Sequence, residues 1–186
     1  MRRMSLVLIF AALCSGQISE EAMRPWREAE RQISRLPPTA FPELPRSLIR
    51  ELQRRGCTIP QAVHGSSRNV IRAEFSRTGQ KDWAVLCSVN GISSILVFWK
   101  GSEKNPAQLA PVKDIDYLQG DGGDKIVYSR GILPVGRDEI MEDYKAYGGP
   151  TPPPIDHQGI DDAFVGKASQ VHYFYEGKWL QLQGGD

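Results

Sequence analysis

Residues 82–99, DWAVLCSVNGISSILVFW, constrain this chain more than any other stretch. Two runs within it, DWAVLCS and SILVFW, are apolar on both faces of an extended chain. A strand of that kind sits inside a layered structure, with material packed above and below it. Between the runs lies Asn90-Gly91. Both residues tolerate the positive φ of a type I′ turn, whose twist matches that of the flanking strands. An antiparallel hairpin is therefore expected. Just before it, residues 69–75 alternate: Val70, Arg72 and Glu74 face one way and Ile71, Ala73 and Phe75 the other, the period of a half-buried strand.

The layers around the hairpin are expected to be helical. Over residues 25–36, Trp26, Ala29, Ile33 and Leu36 recur at helical spacing, and Pro25 suits a first turn. Residues 37–42 hold three prolines and break that helix. Residues 45–55 predict a second helix with Leu48, Ile49 and Leu52 inward, ended by Gly56. Its Arg50, Arg54 and Arg55 suit a solvated face near a helix C-terminus. Residues 137–147 predict a third helix with Ile140, Tyr144 and Tyr147 on one side and Gly148 past its end. Its run of Asp138, Glu139, Glu142 and Asp143 reads as a solvated acidic face.

Elsewhere, residues 100–111 read as irregular and 112–118 as a short strand. Residues 120–124 (GDGGD) form a hairpin loop that lacks the Lys and Ser/Thr of a P-loop. Residues 125–135 predict a strand bent near Gly131. Closing strands are expected at 161–165, 169–175 and 178–182, with Glu176-Gly177 as a turn. The fold class is α+β: a mostly antiparallel β-sheet with two N-terminal helices and one later helix packed on it. A length of 186 residues suits one such domain over residues 17–186, with strands within 69–135 and 161–182.

The first sixteen residues have the layout of a secretory signal peptide. Met1-Arg2-Arg3 is basic, residues 6–13 (LVLIFAAL) are apolar and too short to span a membrane, and Cys14-Ser15-Gly16 offers small residues for cleavage. Lipidation at Cys14 is the second choice, because Leu13 is bulky. Removal of Cys14 leaves Cys57 and Cys87, which in an exported protein predict a disulfide, with buried free thiols as the rival. That would fasten the helix within residues 42–56 to the central strand. A periplasmic or extracellular location follows from export, with no membrane span in the mature chain.

Residues 74–85 (EFSRTGQKDWAV) resemble the loop of FG-GAP/VCBS repeats, which occur in integrin-type propellers and many secreted bacterial proteins. The resemblance rests on Phe75, Gly79, Asp82 and the apolar run that follows. It implies a strand–loop–strand unit. The calcium-binding positions of that family carry Glu74, Ser76 and Thr78 here, beside Arg77 and Lys81, so a bound ion is not expected. The DWAVL hairpin followed by YFYEGKW is also similar to secreted bacterial proteins, and that likeness implies no activity.

A formal net charge of +1 gives no global field to select nucleic acid. There is no G-x-S-x-G elbow and no C-x-x-C. No catalytic residue, metal or cofactor is therefore assigned. Two features remain as candidates. Asp156, His157, Asp161 and Asp162 place a histidine among carboxylates after a proline-rich spacer, which would suit a general base or metal ligand of a hydrolase. Trp83, Trp99, Tyr173, Tyr175 and Trp179 would, on an exposed sheet face, bind a glycan or a protein partner. The same aromatic residues would also build a core.

Overall fold

A computed structural model describes residues 20–65 and 68–185. The expected signal peptide, residues 1–16, lies outside them. The fold is α+β, and every strand pairing is antiparallel.

In chain order, α1 (Glu20–Arg31) leads to β1 (Arg35–Leu36), α2 (Arg46–Arg54), β2 (Ile59–Pro60) and β3 (Val70–Ala73). The central hairpin is β4 (Asp82–Val89) and β5 (Ile92–Phe98), followed by β6 (Ala107–Lys113). A small hairpin, β7 (Leu118–Gly120) and β8 (Ile126–Tyr128), precedes β9 (Arg130–Val135), α3 (Arg137–Tyr147), β10 (Gly159–Phe164), β11 (Ala168–Tyr175) and β12 (Lys178–Gln183). Two four-stranded sheets result, ordered β3-β4-β5-β6 and β12-β11-β10-β9. β1 pairs with β2 and β7 with β8.

The layers follow from strand phase. Trp83, Val85 and Cys87 of β4, with Leu96 and Phe98 of β5, pack against Leu48 and Leu52 of α2. The alternate residues Ala84, Leu86, Ile95 and Val97 meet Ile132 and Ile160 of the second sheet. The far face of that sheet, with Val135, Val171, Tyr173 and Leu182, packs against Ile140 of α3. The order is thus helix, sheet, sheet, helix, where the sequence had predicted a single sheet. The hairpin is apolar on both faces because it has α2 on one side and the second sheet on the other.

Local signals account for several elements. Asn90 and Gly91 have φ of 52° and 76°, as a type I′ turn requires. Gly56, at φ 71°, ends α2 in the left-handed conformation. Others differ from expectation. α1 occupies 20–31 rather than 25–36, and Pro25 lies inside it. Leu36 precedes two prolines, which disfavour helical backbone at that residue, and it pairs with Ile59 instead. Residues 107–111, expected to be irregular, belong to β6, whereas Asp114–Tyr117, expected within a short strand over 112–118, is a short 3-10 helix. β8 and β9 part at Ser129, not at Gly131.

The expected disulfide is present: Cys57 is bonded to Cys87, with Cα atoms 5.2 Å apart. Adjacent to it, Thr58 and Ser88 exchange backbone hydrogen bonds of 3.0 and 2.8 Å. The chain leaving α2 is thereby fastened to β4. A formed disulfide fits an oxidising, extracytoplasmic compartment. No helix among the described residues is long and apolar enough to cross a membrane.

One buried amide joins the two sheets. Asn69, fully buried at φ 61°, donates from Nδ2 to the Pro60 carbonyl (2.6 Å) and the Arg130 carbonyl (3.1 Å). Its Oδ1 accepts from the Ile132 N–H at 3.0 Å. The side chain thus stands in for a strand backbone along β9. Each such bond is worth roughly 1 kcal/mol net, and leaving its partners unsatisfied costs more. Asn69→Ala is expected to destabilise the fold by about 2–3 kcal/mol. Urea denaturation measures this; a loss under about 0.5 kcal/mol would refute the role given to the amide.

Candidate functional site

The four polar candidates do not converge. Asp161 and Asp162 are neighbours on β10, so their side chains leave opposite faces. Asp162 points between the sheets and is held by Arg130, with Nε–Oδ1 at 2.9 Å and Nη2–Oδ2 at 2.7 Å. His172, not His157, is the histidine beside it, with Nε2 at 3.6 Å from Asp162 Oδ2. Burial pushes the Asp162 carboxyl up, but the hydrogen bonds and charge of Arg130, with His172 alongside, outweigh it and hold the group below its ordinary value. His157 stacks on Tyr173, ring centroids 4.4 Å apart, and its Nδ1 and Nε2 lie 3.0 and 2.9 Å from the carbonyls of Gln158 and Phe174. Both ring nitrogens are therefore engaged with backbone. The Asp156 N–H donates to the Tyr173 hydroxyl, which in turn donates to Asp156 Oδ1.

The five aromatic candidates are also dispersed. Trp83 lies in the core under α2. Trp99 and Trp179 pack between the sheets, stacked at 5.8 Å, with Phe174 as a third ring 5.1 and 5.3 Å away. Tyr173 and Tyr175 are on the opposite face, under α3. They form no common platform.

In the loop after β3, every carboxylate finds a protein donor. Glu74 accepts from the Gly79 N–H (3.0 Å) and pairs with Lys81 (3.1 Å). Asp82 accepts from Ser76, Gln80 and the Lys100 N–H, each at 2.8 Å. Among the described residues, no group of three or more His, Cys, Asp or Glu is placed to hold a metal ion.

A cleft of about 350 Å³ opens instead on the α3 side of the second sheet. Its floor follows from register. Gly131, Ala163 and Ser169 lie side by side across β9, β10 and β11. Three small residues in one row leave a hollow. The next row brings Leu133 beside Asp161. Glu139 and Asp143, one turn apart on α3, line the same space, as does Phe164 at the β10–β11 turn. The terminal glycines close one side. A Cβ on Gly184 would stand 2.8 Å from the Ser169 carbonyl carbon, and one on Gly185 would stand 3.0 Å from Asp143 Oδ1. Only bare backbone passes there.

No known protein stands beside this site: no family model, curated protein or solved structure matches the chain.

The electrostatics of the cleft are one-sided. Among the described residues, three carboxylates line it and no Lys, Arg or His does. Asp161 Oδ1 is buried without a hydrogen-bond partner. Burial pushes the Asp161 carboxyl up to about 6, and Glu139, Asp162 and Asp143 add repulsion, while the Ser169 hydroxyl works in the other direction. Asp143 is raised as well, by desolvation and by Glu142. Asp161 belongs to both the expected cluster and the cleft. Glu139, Asp143 and Ser169 were missed, because the acidic run on α3 reads equally well as a solvated face. Its spacing of four residues was the available signal.

Proposed function

We propose that the chain is an exported, non-catalytic binding domain, periplasmic or extracellular, that holds a primary ammonium group in the cleft beside Asp161. The group belongs to a lysine side chain of a protein partner or to an amino sugar of a glycan. The observation that carries this reading is the hollow of Gly131, Ala163 and Ser169, bordered by Asp161, Glu139 and Asp143 with no cation among the described lining residues. A slim, positively charged group fits it in size and sign. Leu133 and Phe164 offer apolar contact to the stem. A carboxylate raised by burial in a cleft is also a mark of a functional-site candidate. The likeness of residues 74–85 to a repeat of secreted proteins supports export. Hydrolysis at residues 156–162 draws no support from the placement of His157, whose ring nitrogens face backbone carbonyls.

Calorimetry at pH 7.5 tests the proposal with 1,5-diaminopentane, a lysine-bearing peptide, glucosamine and N-acetylglucosamine. An amine is expected to bind at about 0.1–1 mM, the range of a single small anchoring group. Glu139→Gln/Asp143→Asn should weaken it several-fold, and acetylation should abolish it. Equal binding of acetylated and free amines, or no binding of either, would refute it. The peptide and the sugar separate the two sources.

A further inference from the structure

Resting on that reading, we infer that Asp161 makes the cleft acid-releasable: it holds the ammonium group while ionised and lets it go once protonated.

The geometry sets Asp161 apart from the other two carboxylates. It sits on the floor, on a central strand of the sheet, whereas Glu139 and Asp143 approach from α3. Among the described residues, every charged group that faces it is acidic. α3 contributes Glu139 and Asp143, with Glu142 beside Asp143. β11 contributes the Ser169 hydroxyl, and β9 contributes only Gly131 and Leu133. On its own strand, Asp162 is turned to the other face, where Arg130 pairs with it. Lys167, in the β10–β11 turn, has its ammonium 4.3 Å from the centre of the Phe164 ring and is not among the lining residues. The described lining therefore offers Asp161 no cation, and its buried Oδ1 has no donor among the described residues.

An incoming ammonium supplies the missing opposite charge. It favours the ionised carboxylate, so binding draws the Asp161 titration down from about 6. By linkage, acid must oppose binding to the same extent. The amine of 1,5-diaminopentane, like that of a lysine side chain, titrates near 10 and stays charged throughout. For one proton competing with one ligand at a group that titrates near 6, affinity should fall about tenfold between pH 7.5 and pH 5.0.

The test is calorimetry of 1,5-diaminopentane against the intact chain and Asp161→Asn, at both pH values. The intact chain is expected to lose about tenfold in affinity on acidification. Asp161→Asn should bind more weakly at pH 7.5 and show less than a twofold change. A parallel arm without ligand follows the melting temperature of both proteins over the same range. Asp161→Asn should melt higher at pH 7.5, and the difference should shrink towards pH 5.0. Binding that is strong and equal at both pH values overturns the acid release and leaves the amine-binding reading intact. An equal loss in both proteins assigns the proton to Glu139 or Asp143 and overturns the role of Asp161. No binding at pH 7.5 removes both, whatever the melting arm shows.

Discussion

Replacing Asp162 by alanine should cost this protein about 3–5 kcal/mol, the largest effect expected of any single substitution in it, because it strands a buried cation. Arg130 is fully buried between the sheets. Its fork is fully used: Nε and Nη2 bind the Asp162 carboxylate, Nη1 donates to the carbonyl and hydroxyl of Ser93 at 3.0 and 2.9 Å, and Nη2 also reaches the Ala110 carbonyl at 2.9 Å. Tyr117 covers the guanidinium, 4.7 Å from ring centre to Cζ. The acceptors on the first sheet are presented by an irregularity. The β5–β6 register shifts between Ser93 and Ile95, and Ala110 adopts φ 46°, an unfavourable conformation for alanine. The bulge turns carbonyls that would otherwise lie in the ladder towards Arg130.

Against a total stability of about 5–15 kcal/mol, the loss should be plain in urea denaturation at pH 7.5. Asp162→Asn, which keeps an acceptor, should lose less. Arg130→Met/Asp162→Leu should cost less than the two single changes added, since no unpaired charge remains. It should still cost something, because the Ser93 and Ala110 carbonyls lose their donor. The pH dependence has a definite sign. Arg130 and His172 hold the Asp162 carboxyl below its ordinary value against burial, so its contribution is present above about pH 4 and is lost as the pH falls through the native titration. Asp162→Ala should therefore show a flatter acid limb than the intact chain. A loss under about 1 kcal/mol for Asp162→Ala would show that the pair is spectator rather than fastener.

That pair also shows where the sequence stops being informative. The central hairpin, α2, α3 and the disulfide rest on local signals: Asn90-Gly91, Gly56, a 3.6-residue period over 137–147, and two cysteines in a chain with an export-like start. Such signals need no knowledge of the partner. By contrast, nothing in the sequence says which of Asp161 and Asp162 points inward. Strand phase decides it, and phase is set by Ile132 and Ile160 packing on the first sheet. The cleft is less legible still. Gly131, Ala163 and Ser169 are scattered over 39 positions and meet only through the register of three strands. β6 escaped notice because Gln108, Pro111 and Lys113 give it neither an apolar run nor a clean alternation, as suits an edge strand. α1 shifted because Leu36 fits a helical period but is claimed by Ile59 in β2. Aromatic type alone does not distinguish the three packing environments of Trp83, of Trp99 with Trp179, and of Tyr173 with Tyr175.

Removing the disulfide is the second large effect, about 3–4 kcal/mol for a bridge that closes a loop spanning a sequence separation of 30. The bond restrains the unfolded chain, and it acts on one particular folded contact as well. Cys57 follows α2 directly, and Cys87 shares a face of β4 with Trp83 and Val85. α2 is short, nine residues, and would be marginal alone. Its helix-side contacts are Leu48 and Leu52, both fully buried. The Thr58–Ser88 bridge holds the same junction without the sulfurs. Cys57→Ala/Cys87→Ala should therefore fold to the same structure and melt about 10 °C lower, at roughly 2–4 °C per kcal/mol for a chain of this size. Hydrogen exchange should locate the damage. Amides of α2 and β2 should exchange faster than global unfolding accounts for, whereas α3, two layers away across both sheets, should change only by the global amount. Reduction of the intact protein should reproduce both results. A melting temperature within about 3 °C of the oxidised protein would mean that helix packing and the Thr58–Ser88 bridge already restrain this junction, and that the disulfide adds resistance to reduction or proteolysis rather than stability.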